Sequence, residues 1–196
     1  MLTPRISLVL ITLLMIPQLA LAASWSIDPV HTAVEFKIRH LMVSWVKGVF
    51  TDVDGTVEID EDNLPGSATR VTIATASIDT NNQKRDDHLR SADFFDVTRF
   101  PTITFVSKSV VVADGQPVKL IGDLTIRDVT REVTLDIESL SQAIIDPWGK
   151  TRRGASATTT INRKDYGLTW NKLMESGGVV VGDEVRITLE VEMIRS

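Results

Sequence analysis

Strict alternation of apolar and polar residues is what most constrains this chain. Val34, Phe36 and Ile38 fall on one face of an extended segment, and Glu35, Lys37 and Arg39 on the other. The pattern returns at Val118, Leu120, Gly122, Leu124 and Ile126, set against Lys119, Asp123, Thr125 and Arg127. It recurs at Val133, Leu135 and Ile137, and runs longest through Val185, Ile187, Leu189, Val191 and Met193. A side-chain period of two is the mark of a β-strand. One dry face opposite one wet face is the antiparallel arrangement.

Further strands are predicted at Val46–Phe50, Gly55–Ile59, Thr69–Ser77, Thr102–Val112 and Ala155–Asn162. Turn signals separate them: Asp54-Gly55, Leu64-Pro65-Gly66, Asp114-Gly115, Asp146-Pro147-Trp148-Gly149 and Gly182-Asp183. Many short strands at this spacing build a sandwich or a barrel, and closing the sheet removes the edges that would otherwise recruit other chains. The expectation is therefore an all-β, lipocalin-like antiparallel barrel. About eight strands would enclose an interior that side chains fill or that holds one small ligand. Helix is predicted only at Asp86–Phe94, as a short lid, and Asn162–Leu173 carries no decisive period.

The first 22 residues have a different character. Arg5 is their only charge, Ile6–Ile16 is apolar, and Ala20-Leu21-Ala22 supplies a small-residue cleavage site. This is the layout of a secretory signal peptide, and the apolar core is shorter than the roughly 20 residues a spanning helix needs. Residues 1–22 are thus predicted to be removed, leaving a single barrel domain over 23–196 in the periplasm. The absence of Cys at the cleavage site excludes a lipoprotein, and its absence everywhere excludes disulfides and thiol chemistry. With 26 acidic against 21 basic residues, the chain carries a net charge of −5. That argues against nucleic acid, or an anionic membrane surface, as the main partner.

Catalytic machinery is not apparent. HExxH and GxSxG are absent, and Ser156 sits in an alternating strand. The three histidines, His31, His40 and His88, show no metal-ligand spacing. Neither a metal nor a cofactor is expected. The acidic run Asp60-Glu61-Asp62-Asn63 lacks the ligand periodicity of a calcium loop and reads as a solvated turn.

One stretch has a more particular signature. Asp79-Thr80, Arg85-Asp86-x-His88-Leu89, Asp93-Phe94-Phe95-Asp96 and Phe100-Pro101-Thr102-Ile103-Thr104-Phe105 together resemble the centre of the YceI-like family. The opening from Trp25 through Asp28-Pro29-x-His31-Thr32 to His40 resembles it too, as do Gly122–Thr130, Asp146–Gly149, Ala157–Arg163 with Tyr166-Gly167-Leu168, and Val181–Val185. The chain departs from the family at Asp128, where Gly is common after Ile-Arg. The resemblance implies a small exported barrel, shaped like a lipocalin, that holds a polyisoprenoid or another long-chain lipid and performs no covalent chemistry.

Combined with the alternation, this defines a candidate site. Val34, Phe36, Ile38, Phe50, Ile73, Leu120, Leu124, Leu135, Ile187 and Leu189 are predicted to face the lumen, with Glu35, Lys37, Asp136 and Glu190 outside. His31, Arg85, His88 and Phe94 are placed at the mouth, where Arg and His donate to phosphate, carbonyl or quinone-like oxygens. The expected partner is a long-chain isoprenoid or acyl lipid. A homodimer and transient contact with membrane proteins are compatible with this reading. Two alternatives stand beside it. One is an enzyme acting on a lipid or quinone-like substrate with His31 or His88 as base; the other is a stress-response protein with a filled core.

Overall fold

A computed structural model describes residues 22–174 and 177–196. The predicted signal peptide thus lies outside the described residues except for Ala22. The elements run β1 (Ala23–Ile27), β2 (Ala33–His40), β3 (Ser44–Phe50), β4 (Val53–Ile59), β5 (Ala68–Ala74), β6 (Ile78–Asp79), α1 (Gln83–Arg90), β7 (Thr102–Ala113), β8 (Gln116–Ile126), β9 (Val129–Leu140), β10 (Ile144–Ile145), β11 (Thr151–Asn162) and β12 (Val181–Arg195).

All pairings are antiparallel, and β11 pairing with β12 from Arg152↔Ile194 to Asn162↔Glu184 closes the sheet. The other edge of β12 carries β2 along Val181–Glu190 and β1 along Met193–Arg195. These two strands are halves of one bent stave. β3 and β4 form a second such stave, because β2 pairs with β3 and β1 with β4. β5 and β6 form a third, paired with β4 and β3. With β7, β8, β9, β11 and β12 these make eight staves, the lipocalin-like barrel that the alternation predicts.

Buried residues gather at two levels. Trp25, Ile59 and Met193 pack together at one end. Phe50, Val53, Ile78, Phe94, Ile103, Ile126, Tyr166 and Leu168 pack toward the other. The predicted lumen residues and the polar residues opposite them sort as expected: Val34 and Leu135 are buried, while Glu35, Asp136 and Glu190 are exposed. Lys37 is half-buried on the outer face.

Several boundaries differ from the sequence reading: β3, β4 and β11 start earlier, and the turns expected at Asp54-Gly55 and Gly182-Asp183 lie inside β4 and β12, where the strand ladders continue through them. The helix begins at Gln83 and ends at Arg90, not at Asp86–Phe94. Asn82 caps it, its side chain accepting from the Arg85 amide, which satisfies a donor that would otherwise be orphaned. The strand predicted to reach Ser77 stops at Ala74, where a 3-10 turn over Thr75–Ser77 redirects the chain into β6. At the β8–β9 hairpin Arg127 takes a left-handed φ of 58° without glycine. Its guanidinium lies 5.2 Å from the Phe100 ring and donates to the Gly167 carbonyl, tying down the strained turn. The predicted Asp114-Gly115 turn has both residues at positive φ, as a tight hairpin requires.

Candidate ligand-binding site

Inside the barrel lies a cavity of about 480 Å³, within the ~300–1,000 Å³ range of small-molecule sites. All ten predicted lumen residues line it. Val34, Phe36 and Ile38 come from β2, Phe50 from β3 and Ile73 from β5; Leu120 and Leu124 come from β8, Leu135 from β9, and Ile187 and Leu189 from β12. Period-two alternation is sufficient to place them there. A shift of one residue in any strand would have turned its whole set outward.

The ionisable residues bordering the cavity are Glu35, Arg39, His40, Arg85, His88 and Arg163. They belong to β2, α1 and the turn after β11, so charge is restricted to one side and one end of an otherwise apolar interior.

α1 forms the lid at that end. Its register is fixed at Thr80. The Thr80 amide and hydroxyl both donate to Asp86 Oδ1, at 2.9 and 2.5 Å. Arg85 donates through Nε to the Thr80 hydroxyl at 2.7 Å and through Nη2 to the Thr80 carbonyl at 2.8 Å. Arg85 and Asp86 therefore do not form an ion pair; they grip one threonine from two sides. Gly48 makes the approach possible, since a Cβ there would collide with the Phe36 ring and the Thr80 methyl. Arg90 adds donations to the carbonyls of Ala76 and Ile78.

His88, Phe94 and Trp170 form an aromatic plug beneath the helix. The His88 ring meets Phe94 and Trp170 edge-on, at centroid distances of 5.0 and 4.8 Å, and Phe94 lies 5.2 Å from Trp170. His88 Nε2 stands 2.9 Å from Asp93 Oδ2. Trp170 is a lining residue that sequence reasoning did not single out as such. It follows Gly167 in a segment of the sequence that has no period. The fold holds that loop through buried Arg163, which donates to the carbonyls of Gly182, Leu168 and Trp170. Burial pushes the Arg163 pKa down, against the opposing pull of Asp183. Beside it the phenol of Tyr166 is buried and its pKa is pushed up to about 12 by desolvation.

Of the four residues expected at the mouth, Arg85, His88 and Phe94 line the cavity and His31 does not. His31 belongs to a charge cluster at the opposite, Trp25 end. There Arg152 donates to Asp28 and Asp146 at 2.6 Å each and to Glu192 at 2.5 Å, while His31 Nδ1 lies 3.0 Å from Asp28. Asp28 is held down to about 2, first by the hydrogen bond with His31 and then by that with Arg152. Asp146 is also lowered, chiefly by Arg152. Ligand atoms of Asp28, His31 and Glu192 lie within 4.8 Å of one another, but the Arg152 guanidinium already supplies the countercharge to both carboxylates.

An eight-stave barrel with a closed base, an apolar interior and a charged, lidded end defines the class: a lipocalin-like binding barrel. The YceI-like domain model matches residues 25–193, and the chain belongs to the YceI-like family. It is 45% identical over 151 residues to the protein YceI of Shigella flexneri, covering 76% of this chain and 78% of that one. The crystal structure of Campylobacter jejuni YCEI protein superposes with a TM-score of 0.68 at 31% identity, over 81% of this chain and 90% of that one. A polyisoprenoid binding domain from Saccharophagus degradans shares the fold, with a TM-score of 0.64 at 14% identity over 89% of this chain and 99% of that one.

Proposed function

We propose that the protein binds a long-chain isoprenoid or acyl lipid inside the barrel and carries it in the periplasm after removal of residues 1–22. One observation carries this reading: a continuous apolar cavity whose ionisable border is confined to β2, α1 and the neighbouring turn. The tail lies along the inward aliphatics. The polar head lies near Arg85 and His88, which replaces the placement beside His31. Burial is the driving force, with about 0.8 kcal/mol for each enclosed CH₂, offset by the ordering of tail and lid. The fold relative from Saccharophagus is described as polyisoprenoid binding, which supports the ligand class.

The open cavity favours this over a filled-core protein. Binding is also favoured over catalysis. Among the described residues the histidine rings that make side-chain hydrogen bonds, His31 and His88, are bonded to carboxylates and not to a hydroxyl nucleophile.

The test is a tail-blocking variant. Leu189→Trp and Ile38→Trp place an indole in the lumen, where overpacking typically costs about 1–3 kcal/mol. Organic extraction of the folded variants is expected to release much less lipid than the wild type. Unchanged lipid content in a folded variant would remove the ligand from the barrel and end this reading.

A further inference from the structure

The outer surface beside the lid carries a feature that the lumen does not explain. The β2–β3 hairpin ends in Leu41-Met42-Val43, and these three apolar residues project into solvent; Met42 is 56% and Val43 79% exposed. Leu41 and Met42 both adopt left-handed φ, at 52° and 60°, where Gly, Asn or Asp would be the unstrained choice. The Leu41 amide donates to the Val180 carbonyl, which ties the tip to the loop that presents Leu173, 86% exposed.

Next to this apolar tip sits Trp45, paired across the hairpin with Arg39. The Arg39 guanidinium stacks 4.3 Å from its ring, Arg186 lies 4.9 Å away and Lys37 5.6 Å away. Lys47 pairs in register with Lys37, and Arg186 lies on its other side. Among the described residues none of Lys37, Arg39, Lys47 and Arg186 has an acidic partner within ion-pair distance. Glu35 and Glu184, on the same outward strand faces, leave them unpaired. Four cations on three adjacent strands with no acidic partner among the described residues are the opposite of what a net charge of −5 leads one to expect.

From tip to strand the order is apolar side chains, then an amphipathic tryptophan, then cations. That is the layering of a membrane interface: hydrocarbon, aromatic belt, anionic headgroups. The cavity reaches His40, Val180 and Val181 at the base of the tip. We propose that this face docks the protein on an anionic lipid bilayer, with Leu41, Met42, Val43 and Leu173 entering the headgroup boundary and Lys37, Arg39, Lys47 and Arg186 meeting lipid phosphates. The global charge argues against an anionic surface; the local charge at this face overrides it, because screening confines each charge to about 10 Å. The purpose of docking, exchange of lipid at the lidded end, rests on the binding reading above; the docking itself does not.

Vesicle flotation tests it with purified protein and two protein-free membranes, pure phosphatidylcholine and a phosphatidylcholine–phosphatidylglycerol mixture. The protein is expected to float with the mixed vesicles, weakly with the neutral ones, and less as salt rises. At about fivefold for each cation removed, K37E/K47E is expected to weaken binding at least about 20-fold. Met42→Asp is expected to weaken it on the same vesicles. Arg186→Glu, on a different strand, stands in should the double variant fail to fold. Equal binding to both membranes, or charge variants that bind like the wild type, would overturn the proposal. So would flotation only with native membranes that contain protein, which would assign the face to a protein partner. Lipid extracted from the same samples reports on the cavity separately, so an empty barrel that still docks sinks the carrier reading alone.

Discussion

At the Trp25 end of the barrel the central charged groups are consumed within the fold. Arg152 is shared by Asp28, Asp146 and Glu192, and Arg153 pairs with Glu61. The exposed apolar residues there are Val30, Ile144, Ile145 and Trp148. At the α1 end Lys37, Arg39, Lys47 and Arg186 have no acidic partner among the described residues, the lid is held at Thr80 and by Arg90, and the plug is a set of three rings. Both ends are built from the same alternating strands. They differ in whether polar groups satisfy one another or are left for something else. The first arrangement holds a barrel shut. The second leaves polar and apolar groups free for the lipid and the bilayer proposed above.

The comparison can be broken in four places. The largest effect is expected at the closed end. Trp25→Ala removes a side chain 2% exposed that packs on Ile59 and Met193, and a buried Trp→Ala typically costs about 3–5 kcal/mol. Urea unfolding should show that loss. Trp170→Ala, at the lid, should instead show a smaller loss of stability but a faster release of bound lipid.

Thr80→Val comes next. It leaves the buried carboxylate of Asp86 without one donor and Arg85 Nε without its acceptor, and an unsatisfied buried group costs about 1–3 kcal/mol. The change should also raise hydrogen exchange across Gln83–Arg90 while leaving β11 and β12 protected.

The third prediction concerns pH. Because the Asp28 carboxyl is held at about 2 in the folded protein, below its ordinary value of 3.8, its ionised form stabilises the fold. That contribution is complete above pH ~4 and is lost as the pH falls toward about 2. Thermal melts of Asp28→Asn should therefore fall less steeply than those of the wild type across that window. Parallel curves would mean that the Arg152 cluster does not stabilise the closed end.

The smallest effect is expected from Lys47→Ala, an exposed change that should alter stability by no more than about 0.5 kcal/mol. It should raise stability if anything, since Lys47 faces Lys37 across the hairpin.

Alternation made the barrel and its lumen legible in the sequence, because register leaves one choice for each strand. The lid was legible only in outline. Its boundaries depended on Asn82 as a cap and on the side chains of Arg85 and Asp86 meeting at Thr80, contacts that no spacing encodes. Trp170 was hidden because its loop is held by carbonyls bound to Arg163, a side chain whose burial cannot be read from an aperiodic segment. His31 was assigned to the wrong end. A motif gives the residue, but only the pairing of β1 and β2 with opposite ends of β12 shows that His31 and His40 lie toward opposite ends of the barrel. The cationic face was invisible to net charge. It emerges when β12 is laid beside the β2–β3 hairpin, far from it in sequence.

The central claim is that the cavity is a lipid site, and native mass spectrometry of protein purified from its own host tests it most directly. The account predicts a species heavier than the bare chain by one long-chain lipid, lost after organic extraction and depleted in Leu189→Trp. A mass equal to the bare chain in freshly purified, folded protein, or an adduct that Leu189→Trp retains in full, would contradict it.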